Sequence, residues 1–440
     1  MSFRRTLLFF AVGFSVFFIS CATNPSSYEA MDKSVQAGSI EQALAGINDE
    51  SGPLRKNVYT QKNAILLYLD RGMLNHYAGL YSESSEDLQL AEVLMEEAFT
   101  KSMSQEVGSF LLNDNVKDYA GEDYEDLYVN VFGALNYYQK GDLEGALVEI
   151  RRLNEKLVYL ADRYERAKEK VAESNSKVDP AALPMEATKF SNSALARYLG
   201  MLFYRGTGKN DSARIDSEEL KRAFDLAPNV YNHPVPSSVK DDLRVPADKA
   251  RLNVIAFTGL SPVKEQENIV IPLPLPFPNN TAKLALPVMV DRPSLIQSVE
   301  VILSSGERFM LEQIEDMGAV ARETFKSKRG LIILKTTARS ISKAVVSAAA
   351  SDVAARKQGL LAGLLIGAIG RIATEASEQA DLRLSRYFPS RALVGGINLN
   401  PGTYTVTVNF YGSGGIIQSE QRDIDVRKNT LNLGHFFSLK

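Results

Sequence analysis

YYQKGDLEGALVEIRRL, residues 137–153, decides how the first half of this chain is read. Tyr137 and Tyr138 close one run of helical periodicity, Gly141 and Asp142 follow as a turn, and a second run begins at once. Glycine just past a helix end takes up a left-handed backbone that other residues resist, so it marks a stop. In the second run Ala146, Ile150 and Leu153 lie four and then three apart, on one helical face. Ala146 is small enough to let that face approach the preceding helix closely. The stretch predicts two antiparallel helices joined by a tight turn.

The same grammar recurs in weaker form. QAGSIEQALAGI supplies Gly38 as the turn and Ala43 as the close-contact residue. RGMLNHYAGLYSESSEDLQLAEV supplies Gly72, the turn glycine Gly79, Tyr81, Ser84 as the small residue, then Leu88 and Ala91. YLGMLFYRGTGKNDSARIDSEELKRAFDLAP supplies Gly200, Ala223 and Pro228, with about four extra residues expected at the turn around Gly206 to Asp211. This pattern resembles a tetratricopeptide (TPR) repeat. The steps are unequal, so residues 28–228 are expected to form a degenerate TPR-like stack of helical hairpins with other helices between them.

Residues 229–250, with prolines at 234, 236 and 246, read as a linker. The period then changes to two. RLNVIAFTGL, KLALPVMV, IQSVEVILSSGERF, GGINLNPGTYTVTVNFYGSGG, SEQRDIDVRKN and TLNLGHFFSL alternate apolar and polar residues between turn signals. Six or seven such strands predict an immunoglobulin-like β-sandwich over residues 251–440. Residues 312–385 break the pattern and are expected to be a helical hairpin inserted into it. From Arg322 to Lys357 this insertion carries nine Lys or Arg and two acidic residues. Gly359, Gly363 and Gly367 follow at intervals of four, a spacing that allows close helix packing. The fold class expected is therefore α+β and multidomain.

The N-terminus gives an address. Arg4 and Arg5 precede the apolar run LLFFAVGFSVFFI, and the chain's one cysteine, Cys21, follows Ser20. This layout resembles a bacterial lipoprotein signal, with Phe18 standing where leucine is commonest. The resemblance implies a signal peptide at 1–20, a lipid on the Cys21 thiol and a tether at 21–27. An ordinary signal peptide with a chance cysteine, or an uncleaved anchor, is the competing reading. Ala22 is not Asp, so the common inner-membrane retention signal is absent. The whole plan resembles a group of uncharacterised bacterial envelope lipoproteins, which implies attachment to the outer membrane, facing the periplasm, and no particular chemistry.

A search for chemistry returns little. The charge balance, −3 over 440 residues, excludes a general nucleic-acid binder. His76, His233 and His435 are scattered and there is no cysteine cluster, so neither a zinc site nor another metal or cofactor is expected. RGTGKNDS lacks phosphate-loop spacing, and SISK at 340–343 matches the S-x-x-K nucleophile spacing only as often as chance allows. The acidic run AGEDYEDLYVN reads as a solvated loop entering a helix, favourable near the helix N-terminus. IVIPLPLPFPNN, with proline at every second place, reads as a stiff extended segment. Tyrosines crowd the helical half, and Tyr77, Tyr81, Tyr137, Tyr138 and Tyr204 are the candidates for a partner surface. The function expected is a lipid-anchored, non-catalytic envelope scaffold that binds a protein partner. A lipid- or polysaccharide-handling accessory and a peptidoglycan-acting enzyme with a carboxylate site are the alternatives.

Overall fold

A computed structural model describes residues 28–104, 117–174, 188–272, 281–336 and 379–440. Cys21, the S-x-x-K stretch at 340–343, and Gly359, Gly363 and Gly367 lie outside the described residues. The helices are α1 (Glu29–Ala37), α2 (Ile40–Asn48), α3 (Pro53–Asn57), α4 (Ala64–Tyr77), α5 (Tyr81–Ser104), α6 (Asp123–Gln139), α7 (Leu143–Ser174), α8 (Ala194–Gly206), α9 (Asn210–Leu226) and α10 (Val239–Asp242). An eleventh, α11, covers residues 317–336.

Four hairpins, α1–α2, α4–α5, α6–α7 and α8–α9, share one turn. Gly38, Gly79, Gly141 and Gly208 each have φ between +75° and +84°, and the next helix starts two residues on. The backbone closes the same way each time. At the third turn Gly141 N–H donates to Tyr138 O (2.9 Å) and Asp142 N–H to Tyr137 O (2.9 Å). At the fourth, Gly208 N–H donates to Arg205 O (3.0 Å) and Lys209 N–H to Tyr204 O (2.8 Å). This pair of bonds satisfies carbonyls that a helix end would leave open. Five residues after each glycine stands a small buried side chain: Ala43, Ser84, Ala146 and Ala213. The fourth turn therefore has no extra residues. Ala213, not Ala223, holds the close-contact place, because Gly208 rather than Gly206 is the left-handed residue.

The strands are β1 (Ala250–Thr258), β2 (Val263–Pro272), β3 (Thr281–Val290), β4 (Ser298–Leu303), β5 (Arg308–Met310), β6 (Glu312–Asp316), β7 (Arg391–Leu399), β8 (Gly402–Gly412), β9 (Gly415–Val426) and β10 (Asn432–Ser438). One sheet has the order β10-β1-β7-β6 and a second the order β5-β4-β8-β9; β2 and β3 form a separate hairpin. β1 runs parallel to β10 and antiparallel to β7. Leu252, Val254, Ala256 and Phe436 of the first sheet share a core with Val299, Val301, Val406, Val408 and Phe410 of the second. Two sheets over one core make a sandwich, and the molecule is of mixed α+β class.

The segment 312–385 is not helical from its start. Glu312–Asp316 is β6, an edge strand on β7 with a register shift between Gln313 and Glu315, and the helix begins at 317. Its polar sequence hid it, since an edge strand bulged on one side need not alternate. Nor does 229–250 run free. Val230, Tyr231, Val239 and Asp242 are buried, and α10 lies within it.

Every residue of β1 is buried, because both faces are covered. Ile255 and Phe257 turn away from the sandwich and join the core of the helical half, with Ala392, Val394 and Leu433. The first helix of each of the last three hairpins, α4, α6 and α8, is enclosed almost all round. The second helices, α5, α7 and α9, carry the solvent side. The hairpin stack is thus wrapped on the outer face of the first sheet.

The turns make a direct test. Gly141→Ala has room for its methyl group but keeps the positive φ, and is expected to cost about 1 kcal/mol. Ala146→Leu, at the helix contact, is expected to cost about 1–3 kcal/mol by overpacking. Urea unfolding of each variant against the parent chain measures both; Ala146→Leu at parental stability would contradict the close contact.

Candidate functional site

The seam between helices and sheet is lined with ionisable groups that reach across it. Glu315 of β6 accepts from Tyr128 (2.7 Å), Tyr231 (2.6 Å), Ser193 Oγ (2.9 Å) and the backbone N–H of Leu195 (3.2 Å). Asp70 of α4 accepts from Tyr59 (2.8 Å), Ser385 Oγ (2.7 Å) and Arg386 N–H (2.8 Å). Glu125 of α6 accepts from Tyr119 (2.7 Å), Glu122 N–H (2.8 Å) and Ser385 N–H (2.6 Å). Burial pushes the Asp70 carboxyl up to about 6 against these donors. Burial, then the neighbouring Glu122 charge, push Glu125 up to about 7.

The acidic run at 122–126 is therefore no solvated loop. Glu122, Asp123 and Glu125 are buried. Lysines and arginines far away in sequence account for this. Glu122 is clasped by Lys264 and by Lys328 (2.8 Å). Asp123 meets Arg163 (3.3 Å) and the Tyr164 hydroxyl (2.5 Å), and Asp126 meets Lys156 (2.7 Å). A buried carboxylate persists when it is ion-paired, as Glu122 and Asp123 are, or supplied with hydrogen-bond donors, as Glu125 is.

Two of the scattered histidines meet. His76 of α4 and His435 of β10 lie Nε2 to Nε2 at 3.3 Å, 359 residues apart in sequence. Asn136 donates from Nδ2 to Ser84 Oγ (2.8 Å), which turns its Oδ1 to His76 Nδ1 at 2.6 Å. His76 then carries its proton on Nδ1 and accepts at Nε2 from His435 Nε2–H, so both rings are neutral. Burial lowers His76 to about 4 and holds His435 well below the usual range.

Of the tyrosines expected to form a partner surface, two are spent inside the molecule. Tyr77 is buried, donates to Tyr387 O (2.8 Å) and packs on Phe437 at 4.7 Å. Tyr138 accepts from Leu433 N–H (2.9 Å) and stacks on Phe203. Tyr81, Tyr137 and Tyr204 are half-buried. Tyr81 lies edge-on to His76, and Tyr137 carries the Lys140 ammonium at 4.4 Å.

The open concavities lie on the other side of the stack. Between α5 and α7 runs a groove of about 800 Å³, floored by Leu127 and walled by Val93, Phe99, Tyr159 and Leu160 among charged residues. Val158 is 73% exposed, Tyr159 67% and Val93 46%. These residues escaped the reading for partner sites, yet the spacing marks them. Ile150, Leu153, Leu157, Leu160 and Tyr164 form the buried face of α7, and Val158 and Tyr159 fall off it. Beyond one end of the groove lies a smaller cavity of about 180 Å³ between α5, α11 and residues 117–123.

Among the described residues no group of three His, Cys, Asp or Glu is placed to hold a metal ion, and no helix is long and apolar enough to cross a membrane. Neither a family model, nor a curated protein, nor a solved structure matches this chain.

The titrating groups oppose one another. The His76 pKa is depressed in the folded state, so stability is lost as pH falls from about 6.5 to about 4. The Glu125 pKa is raised, so its contribution runs the other way, stability growing as pH falls from about 7 to about 4.5. Glu125→Gln removes the second slope. Urea midpoints of that variant are expected to drop more steeply than the parent's between pH 6.5 and 4.5; parallel curves would contradict the assignment.

Proposed function

We propose that this protein is a lipid-anchored, non-catalytic scaffold of the bacterial cell envelope, held at the periplasmic side of the outer membrane through Cys21. It binds a protein partner in the groove between α5 and α7. The TPR-like reading of the stack is supported by the four equal glycine turns. The immunoglobulin-like reading of the second half is supported by its two four-stranded layers over one core.

The observation that carries the proposal is the groove. It keeps Val93 and Tyr159 exposed on two helices whose other sides are buried, while the inner tyrosine face is taken up by the chain's own sheet. Apolar residues grouped on a rigid surface mark contact sites. Within the groove Arg152 and Lys156 meet Glu92, Arg163 meets Asp123, and Arg166 meets Asp162. That leaves Glu96 and Glu155 as lining carboxylates with no ion pair among the described residues. The occupant that fits is a segment with apolar side chains flanked by Lys or Arg. The enzymatic alternative loses support because Glu315, Asp70 and Glu125 are saturated with donors, which ties them to the seam.

Two measurements test this. A photo-crosslinking residue at position 159 is expected to give a discrete adduct in whole membranes, mapping to an apolar segment with basic flanks. The adduct should vanish in the Val93→Asp variant and be absent from position 218 on α9. An adduct unchanged by that variant, or none, would overturn the groove. Separately, an alkyne-tagged fatty acid is expected to label the chain in cells and the Cys21→Ala form not at all; equal labelling of both would overturn the anchor.

A further inference from the structure

The geometry points to the smaller cavity as a binding site for a small amphiphilic anion, with an apolar body of about one ring and a single carboxylate or phosphate head. It adjoins the partner groove without resting on that groove's being occupied. Its volume, about 180 Å³, is near that of an apolar cavity that accepts benzene. One wall is apolar, built from Ala98 and Phe99 on α5 and Leu331 and Ile332 on α11.

The other wall is cationic beyond its own counterions. Lys264 and Lys328 both close on the one carboxylate of Glu122, so two ammonium groups share a single charge. Arg163 is matched by Asp123, and Arg383 by Asp381. With Lys117, Lys335, Asp118 and Asp126 included, the lining carries six cations to five carboxylates, and Asp126 is also held by Lys156 from outside the cavity. Burial would ordinarily lower a lysine pKa, but the Glu122 and Asp123 charges hold Lys328 above its usual value, so it stays an ammonium. Lys328 lines the cavity and keeps 26% of its side chain exposed. Lys328 also donates to the Gly121 carbonyl (2.6 Å) and Lys264 to that of Arg383 (3.1 Å), yet two ammonium groups on one carboxylate, set against an apolar wall, favour a ligand that brings negative charge and displaces water from that wall. A bare phosphate would leave the apolar wall wet, and a neutral ring would leave the lysine pair unmatched.

Arg163 divides this cavity from the groove. Its guanidinium lies 3.9 Å from the centre of the Phe99 ring, and both residues line both spaces. The two sites are told apart by residues that only one of them has, Lys328 in the cavity and Val93 and Tyr159 in the groove.

The experiment is calorimetric titration of the full chain, reconstituted in phosphatidylcholine vesicles, with benzoate, phenyl phosphate, benzyl alcohol and inorganic phosphate. At least one of the two aromatic anions is expected to bind one to one, about tenfold or more tighter than benzyl alcohol or inorganic phosphate. Which of them binds better distinguishes a carboxylate ligand from a phosphate one. Lys328→Met keeps the apolar stem and leaves Glu122 paired with Lys264, though it frees the Gly121 carbonyl that Lys328 also bonds (2.6 Å); it should weaken the anion about tenfold at temperatures below its own melting transition. Ala98→Trp, away from the charges, should fill the cavity and abolish binding, and it decides alone if Lys328→Met does not fold. No binding by either anion, equal binding of benzyl alcohol, or parental affinity in Ala98→Trp would overturn the site.

Discussion

Phe132 of α6 lies 5.1 Å from Phe257 of β1 and 5.9 Å from Phe388, and around these rings the helical stack and the first sheet become one core. Everything else in the architecture depends on that contact. Helical-repeat proteins commonly leave the inner face of their stack to a ligand. Here the inner helices α4, α6 and α8 spend that face on the chain's own β-layer. The cost of enclosing three helices and both faces of β1 is that each polar group at the seam needs a partner from the other side. Hence Tyr128 reaches Glu315, Tyr77 reaches the Tyr387 carbonyl, and His76 reaches His435.

Those cross-seam bonds set specificity more than strength. A buried ionic group repays its desolvation only with good geometry, so it adds little net stability but penalises any misalignment. Glu315, with four donors drawn from α6, the start of α8 and Tyr231, tolerates one relative placement of stack and sheet. Two halves fixed in this way hold the remaining surface, the α5–α7 groove, at one orientation to the sheet.

Much of this was legible from single residues. Gly38, Gly79 and Gly141 announced their turns, since only glycine rests easily at positive φ, and Ala43, Ser84 and Ala146 announced the contacts five residues later. The fourth hairpin differs from its reading: about four extra turn residues and Ala223 as the contact are expected, whereas the turn at Gly208 is as short as the others and Ala213 makes the contact. β1 was seen as a strand, but its second buried face was not foreseen. The run Val254-Ile255-Ala256-Phe257 is apolar at successive positions, which is how a strand covered on both sides reads. What the sequence could not disclose was long-range pairing. Nothing near 122–126 forecasts that Lys264 and Lys328 will neutralise Glu122, and nothing near His76 forecasts His435. The candidate groove lay half in view, in Tyr159, which breaks the buried period of α7, but its other wall comes from α5.

The chain has no tryptophan, which allows one decisive measurement. Phe410→Trp places a fluorophore in the sandwich core, far from the seam, while far-ultraviolet circular dichroism reports the helices. If stack and sheet are one cooperative unit, the two signals unfold at the same temperature. Phe132→Ala, a loss of about 3–5 kcal/mol, then lowers both midpoints together. Two separated transitions, or a Phe132→Ala shift confined to the helical signal, would show two independent domains and contradict the shared core.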